Sequence, residues 1–349
     1  MGRREGKPAD MGASTTPGDR WLHRFSVFTA GATLFLILAG GLVTSTGSGL
    51  AVPDWPLSYG MVFPPMVGGI FYEHGHRMVA TFVGVLTVVL AVWLWKGERR
   101  RWLRYLGVVA LFAVVLQGVL GGLTVLYLLP TPISVTHACL AQTFFCLTVG
   151  IALFTSPSWR EVPEPLRERK GISLKGLALF TTAVVYVQLL LGALMRHTES
   201  GLAIPDFPLS FGHLIPPIGS LTVDPTAPFP ISLEELRTRV WIHFAHRAWA
   251  GIVLLAMVWT SARILRVHAG RGQLVVPALL MLGLVTVQVA LGALVIWTEK
   301  AVVVTTAHVV VGASILASSL VLTLRCWRMT ASAPAGERVA SRLSGEPAV

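Results

Sequence analysis

The feature that most limits the fold of this chain is a series of eight apolar stretches. Each has roughly 20 residues, the length that a helix needs to cross a bilayer. Charged residues make up only 13% of the chain and hydrophobic residues 54%, with a mean hydropathy of +0.68. Soluble proteins carry about 25% charged residues, so the sequence predicts an all-α polytopic membrane protein with eight transmembrane helices. The stretches cover residues 25–44, 76–95, 103–123, 133–153, 177–195, 240–260, 274–296 and 302–324.

The basic residues predict how the chain is oriented. The formal net charge is +11, and 22 of the 28 Lys and Arg residues fall in the tails and in the second, fourth and sixth connections. Because Lys and Arg gather on cytoplasmic loops, both termini are predicted to be cytoplasmic and the long connections to face outward. The charge therefore points to a lipid bilayer as the surroundings, and no nucleic-acid partner is expected. The three cysteines lie in or beside apolar stretches, so no disulfide framework is expected either.

Two long connections have nearly the same amino-acid sequence. TSTGSGLAVPDWPLSYG begins at Thr44, and RHTESGLAIPDFPLSFG begins at Arg196. Further along, HRMVA at His76 matches HRAWA at His246, and QGVLGGL at Gln117 is repeated as QVALGAL. Matches in this order predict a duplicated four-helix bundle, and an even number of spans in each half makes the repeats parallel. The predicted parts are a tail 1–24, a half 25–156, a linker 157–173, a half 174–327 and a tail 328–349.

Four histidines occupy equivalent positions in the two halves: His76, His137, His246 and His308. They are predicted to lie in the first turns of the even-numbered helices, toward the outer side. A lone histidine inside a span is as often a helix–helix hydrogen-bonding residue as a ligand. Two in each bundle favour a pair of axial ligands to a haem iron, one haem per half. No Cys, Asp or second His cluster completes a zinc or copper shell in the sequence.

Charged residues beside these histidines suggest further roles. Arg77 and Arg247 directly follow two of them and are predicted to pair with haem propionates, although interfacial snorkelling is the alternative. Glu73 lies one turn before His76, whereas the second half has His243 at that place. A carboxylate there could move protons or stabilise developing positive charge. Its alternative interpretation is a solvated acid at a helix N-terminus.

Other residues of the repeats are expected to shape the site. Asp54 and Asp206 are predicted to form turns in the long loops. Trp55 and Phe207 are either interfacial anchors or lids over a porphyrin. Glycines near the helix ends allow helices to approach closely and leave room for a flat macrocycle. Each of the outer histidines 74, 197, 213 and 243, taken alone, is interpreted as an ordinary interfacial residue.

Together these features resemble the haem A synthase family. The resemblance covers residues 25–327 and rests on the duplicated bundle, the TGSGL…DWP loop, the E-x-x-H-R motif and the four histidines. It implies oxidation of a ring methyl of haem O to a formyl group, which gives haem A for terminal oxidases. By motif match, His76 and His137, with Arg77, would bind the substrate haem, and Glu73 would be catalytic. His246 and His308, with Arg247, would bind a haem b that relays electrons.

The resemblance also implies surroundings and partners. The protein would lie in a bacterial plasma membrane, with its haem sites toward the outer side. It would receive haem O from the farnesyltransferase that makes it, work with oxidase assembly factors, and take electrons from an unidentified donor. Some members carry two cysteines in the first outer loop, which this loop lacks, so a thiol route there is excluded. The main alternative is a dihaem b-type electron carrier or quinol oxidoreductase, in which Glu73 accepts a quinol proton. A transporter fits poorly.

Overall fold

The structure is a computed structural model that describes residues 17–161, 163–166, 171–223, 226 and 231–331. Its eight long helices are each apolar enough to span a membrane, which confirms the predicted all-α, multi-pass class. They are α1 (Pro17–Ser45), α2 (Gly69–Gly97), α3 (Arg101–Leu126), α4 (Thr131–Thr155), α5 (Leu174–His197), α6 (Leu233–Val267), α7 (Gly272–Trp297) and α8 (Val302–Ala331). A short helix, Pro157–Arg160, and two single 3₁₀ turns, Ser200–Leu202 and Ile218–Ser220, lie between them.

Several helices extend well beyond their apolar stretches. The α6 helix begins at Leu233 because Ser232 caps it by accepting a hydrogen bond from the Glu235 amide at 3.0 Å. His246 consequently lies more than three turns inside α6, and His76 lies about two turns inside α2. The expectation of first turns was therefore wrong for His76 and His246, whereas His137 and His308 lie in the second turn of α4 and α8. Polar residues that can cap and begin a helix lie before the apolar residues that a hydropathy scan detects.

The helices pack as two rings of four. In the first half (α1–α4) each helix contacts the next and α1 contacts α4, and in the second half (α5–α8) the same pattern recurs. Each half has its own buried apolar cluster. The two halves meet along a seam in which α1 contacts α8, α4 contacts α5, and α4 contacts α8. This packing is consistent with a duplicated bundle, while the exact domain bounds stay a prediction.

The described residues of the two long loops, 46–68 in the first and 198–223, 226 and 231–232 in the second, lie at one end of the molecule, called here the long-loop end. Asp54 accepts hydrogen bonds from the amides of Tyr59 at 2.6 Å and Gly60 at 2.8 Å. Asp206 accepts the equivalent bonds from Phe211 and Gly212. The turn-forming role predicted for both aspartates is confirmed. Each aspartate carboxylate thereby stabilises a bend. Tyr59 in the first bend and Phe211 in the second have a positive φ, which residues other than glycine rarely adopt.

Some predicted segments lie outside the described residues. They are most of the N-terminal tail, which includes Arg3, Arg4 and Lys7, the linker residues Arg167, Arg169 and Lys170, and the C-terminal tail from residue 332 onward.

Candidate functional site

Each of the four histidines packs against a glycine of the preceding helix. A Cβ atom placed on that glycine would lie 3.1–3.3 Å from the histidine Cε1 atom, tighter than an ordinary van der Waals contact. Only glycine therefore lets the two backbones come close enough to hold the ring in this position. This confirms the close approach predicted at the glycine-rich helix ends. The four pairs are Gly40–His76, Gly121–His137, Gly192–His246 and Gly292–His308.

The histidines form one pair in each half. His76 lies close enough to His137, and His246 close enough to His308, for a positive charge on one ring to disfavour a positive charge on the other. The Nδ1 atoms of His76, His137 and His308 are buried without a hydrogen-bond partner among the described residues. A buried ring nitrogen without a partner is costly, so these imidazoles are available for a ligand that the protein chain itself does not supply.

The two histidines of each half fit a metal whose remaining ligands belong to a bound cofactor. Within the part of the chain that the structure describes, no three His, Cys, Asp or Glu side chains converge as a metal centre. Two imidazoles in one bundle, each packed on a glycine, would suit a flat iron macrocycle such as haem. The residues present therefore fit one haem between each pair of histidines.

Two glutamines that were not singled out from the sequence contact the histidines. Gln117 donates from Nε2 to the main-chain oxygen of His137 at 2.9 Å, and Gln188 donates to that of His246 at 3.1 Å. The amide of Gln288 lies beside Gly312, one turn after His308. A repeated signal was present in the sequence, because each of these glutamines precedes a histidine-contacting glycine by four residues.

Glu73 and Arg77 form a buried latch between α2 and the first long loop. The Glu73 carboxylate accepts the Val52 amide at 2.8 Å and the Arg77 guanidinium at 2.7 Å, and only 5% of its side chain is exposed. Arg77 also donates to the main-chain oxygens of Asp54, Leu57 and Val52. The interpretation of Glu73 as a solvated acid was therefore wrong. The predicted propionate contact of Arg77 has only the Nε–H left for it.

The second half has a related but weaker latch. His243 lies where the first half has Glu73, with the Ile204 amide 3.2 Å from its Nδ1 and the Arg247 Nε 3.0 Å from its Nε2. A neutral imidazole has one acceptor nitrogen, so it satisfies only one of these donors, whereas a carboxylate satisfies both. Arg247 also donates to the main-chain oxygens of Leu209 and Ile204. His243 is thus a buried structural partner, not the interfacial residue expected from the sequence.

The loops differ at their aromatic residue. Trp55 lies against α3, where a Cβ atom on Gly122 would come within 2.5 Å of the indole ring. At the equivalent place in the second half Phe207 packs edge-on against Trp297, with ring centroids 6.2 Å apart. His74 is also specific to the first half, is buried, and bonds to the Ser58 hydroxyl at 2.8 Å. The sequence alone predicts an interfacial His74, but the structure shows that it is buried.

Arg196 connects the halves near both histidine pairs. Its guanidinium donates to the Gly41 main-chain oxygen at 3.1 Å and to the Ser45 hydroxyl at 3.0 Å. Among the described residues it forms no salt bridge, and it interacts electrostatically with His308. The sequence had placed Arg196 only among the few basic residues at this end. The structure shows that it is a cation in the seam.

The sequence is similar to those of known proteins along most of its length. The pattern of the COX15-CtaA family of cytochrome oxidase assembly proteins matches residues 67–320. The chain belongs to this family. A protein named haem A synthase from Halalkalibacterium halodurans is 30% identical over 316 residues, which covers 86% of this chain and 95% of that protein. A haem A synthase from Symbiobacterium thermophilum is 32% identical and covers 78% of this chain and 85% of that protein.

Proposed function

We propose that this protein is a haem A synthase, which oxidises a ring methyl of haem O to a formyl group and so makes haem A for terminal oxidases. The observation that carries the proposal is the pair of histidines in each half, each packed on glycine, three of which, His76, His137 and His308, have a buried ring nitrogen without a partner among the described residues. Membership of a cytochrome oxidase assembly family, with relatives named haem A synthase, supports the same conclusion.

The two halves are assigned different roles because their latches differ. His76 and His137 would hold the iron of the substrate haem, near the half that keeps the Glu73 carboxylate. His246 and His308 would hold a haem b, with the uncharged His243 in place of the carboxylate. When bound, haem b supplies one-electron redox chemistry. Glu73, which binds the Val52 amide and Arg77, would keep the first loop closed and would accept or return a proton.

The arginines would position the loops more than they bind substrate directly. Most N–H groups of Arg77 and Arg247 donate to main-chain oxygens of the loops and to Glu73 or His243, respectively. A haem propionate would reach the Nε–H of Arg77 or a remaining guanidinium N–H of Arg247. By this arrangement each arginine couples closure of its loop to the filling of the site below it.

We also infer that the protein lies in a bacterial plasma membrane with both termini cytoplasmic and the long-loop end outside. The distribution of Lys and Arg supports this orientation. To test it, cysteines are introduced singly at Ser220 in a long loop and at Arg99 between α2 and α3, and whole cells are treated with a membrane-impermeant maleimide. Labelling of the Ser220 position alone is expected, and labelling of the Arg99 position alone would reverse the orientation.

Haem O as substrate implies a supplier and a consumer. The expected supplier is the farnesyltransferase that makes haem O, and the consumers are factors that assemble the oxidase. The name of the family supports a role in assembly. Electrons must also reach the second half from a donor of the membrane or its outer face.

Pigment analysis tests the proposed function. Cofactors are extracted from the purified protein and identified by mass. Haem O or haem A together with haem b is the expected result. Two haem b per chain and no haem O or haem A would favour the dihaem electron carrier and overturn the synthase.

A further inference from the structure

Position 36 breaks a pattern that the other three histidine sites share. Gln117, Gln188 and Gln288 each stand four residues before the glycine that contacts a histidine of the next helix. At the fourth site Leu36 stands four residues before Gly40, which contacts His76. His76 is thus the only one of the four repeat-equivalent histidines without this glutamine.

Two of these glutamines, Gln117 and Gln188, tie a histidine-bearing turn to the neighbouring helix, and the Gln288 amide packs beside Gly312, one turn after His308. The Gln117 amide reaches the main-chain oxygen of His137, and Gln188 reaches both the main-chain oxygen of His246 and its ring nitrogens at 3.1–3.2 Å. In the apolar interior of a membrane protein such a side chain links helices. The ring and the helix turn that carries it are therefore restrained together.

Leu36 cannot provide this link because it has no hydrogen-bonding group. It is partly buried and packs against the apolar cluster of the first half. The His76 ring meets Gly40, and its Nδ1, like those of His137 and His308, has no partner among the described residues, so the missing glutamine is the feature particular to His76. The Glu73–Arg77 latch does not replace the link, since Arg247 and His243 form a comparable latch in the second half, where Gln188 is also present.

We propose that His76 is the exchangeable axial ligand of the first-half site and that Leu36 is the positioning residue that leaves it free to move. This inference rests on the proposed function, which places a haem between His76 and His137. A small ligand, of which dioxygen is the natural class, would then gain access to the iron on the His76 side. In the second half Gln188 restrains His246, and the Gln288 amide packs against the helix that carries His308, so both imidazoles there would stay bound.

Carbon monoxide is the probe that tests this difference. Purified protein with its native pigments is reduced and mixed with carbon monoxide, and binding is followed by the difference absorption spectrum. The wild-type protein is expected to react at the first-half site only. Leu36→Gln is expected to slow binding roughly tenfold, the effect of one added helix–helix hydrogen bond.

Two further variants give the test its controls. Leu36→Met has a similar volume and no hydrogen-bond donor, so it should react like the wild type. Gln188→Leu should make the second-half site react with carbon monoxide, which keeps the test decisive even if Leu36→Gln does not fold. Equal slowing by Leu36→Met and Leu36→Gln, or no new reactivity in Gln188→Leu, would overturn the inference.

The same samples separate this inference from the proposed function. Haem contents are measured by mass before carbon monoxide is added. Protein that holds haem in both halves but reacts independently of positions 36 and 188 contradicts the role of Leu36 alone. Protein that holds no haem O or haem A contradicts the synthase itself.

Discussion

Gly121 has no side chain, and the His137 ring occupies the space that the methyl group of an alanine would fill. A Cβ atom there would lie 3.1 Å from His137 Cε1. Because backbone and ring would both have to shift, Gly121→Ala is expected to impair iron binding in the first half. The measurement is the haem content of the purified variant, where a loss confined to one of two haems is expected.

Gly118 provides the matched control for that change. It lies in the same helix nearly one turn earlier, is exposed, and has nothing within 4 Å of the position that an added methyl group would take. Gly118→Ala should retain both haems and stabilise the helix by about 0.5–1 kcal/mol, because alanine restricts the unfolded chain. Equal haem loss in both variants would show that the His137 contact is not the cause.

Glu73 offers a prediction in which structure and chemistry can be separated. Glu73→Gln keeps an acceptor for the Val52 amide but removes the charge that pairs with Arg77. Haem A formation should fall while total haem content stays close to that of the wild type. Glu73→Ala removes both bonds at a cost of roughly 3 kcal/mol, the scale for breaking a buried ion pair. Loss of all haem in Glu73→Gln would make the residue purely structural.

Some residues of the candidate site could be predicted from the sequence, and their main-chain partners could not. The four histidines could be found because they repeat at equivalent positions inside apolar stretches. The partners of Glu73 and Arg77 could not, since Val52 and Leu57 contribute backbone groups whose direction depends on the loop path. A pattern of residue types contains no information about such main-chain contacts.

At the level of elements, the first long loop and α3 fit each other through Trp55 and Gly122. The second half combines a smaller aromatic, Phe207, with Ala293 at the equivalent helix position. Gly122→Ala is therefore expected to destabilise the protein by about 1–3 kcal/mol, because the added methyl would overlap the indole ring.

A double-mutant cycle tests whether this fit is local. Trp55→Phe combined with Gly122→Ala recreates the pairing of the second half and should recover most of the stability lost in Gly122→Ala alone. Thermal unfolding in detergent is the measurement. Additive effects of the two substitutions would show that the indole does not depend on Gly122 for its position.

The loop bend at Asp54 should respond to acid. Hydrogen bonds from the Gly60 and Tyr59 amides hold the pKa of the Asp54 carboxyl below its ordinary value. Such a group stabilises the bend above its unfolded pKa of about 3.9 and loses that contribution as the pH falls through the folded pKa. The protection of the residue 59 and 60 amides from hydrogen exchange, relative to their intrinsic exchange rates at each pH, should therefore decrease below about pH 4 in the wild type. Asp54→Asn, compared at each pH, should exchange faster at neutral pH and lack this additional acid response.

Across the whole molecule, Arg196 places a positive charge in the seam beside the second histidine pair. A buried cation favours the reduced, less positive form of a nearby iron. Arg196→Met should lower the midpoint potential of the haem held by His246 and His308 by tens of millivolts, on the order expected for one partly screened charge. Spectroelectrochemical titration measures the shift. Arg239, an arginine near the long-loop end that pairs with Glu235, supplies a control, and Arg239→Met should leave the potential unchanged.

The global architecture was largely predictable, and the seam was not. Spans follow from apolar length and the duplication follows from matched segments, so eight helices could be anticipated. Which helices meet between the halves depends on small residues such as Ala313 and Ala317, packed with Ile37 and Phe145. Alanines and aliphatic residues look alike on lipid-facing and protein-facing surfaces, so composition alone does not distinguish them.

The contact between α4 and α8 has a consequence for electron flow. His137 lies on α4 and His308 on α8, and these two helices are in contact, with no third helix between them along this part of the seam. With a haem held in each half, the packed side chains of α4 and α8 would provide the direct connection between the two sites. The molecule would then need one external electron donor only, docking at one half, and no diffusible shuttle between its two centres.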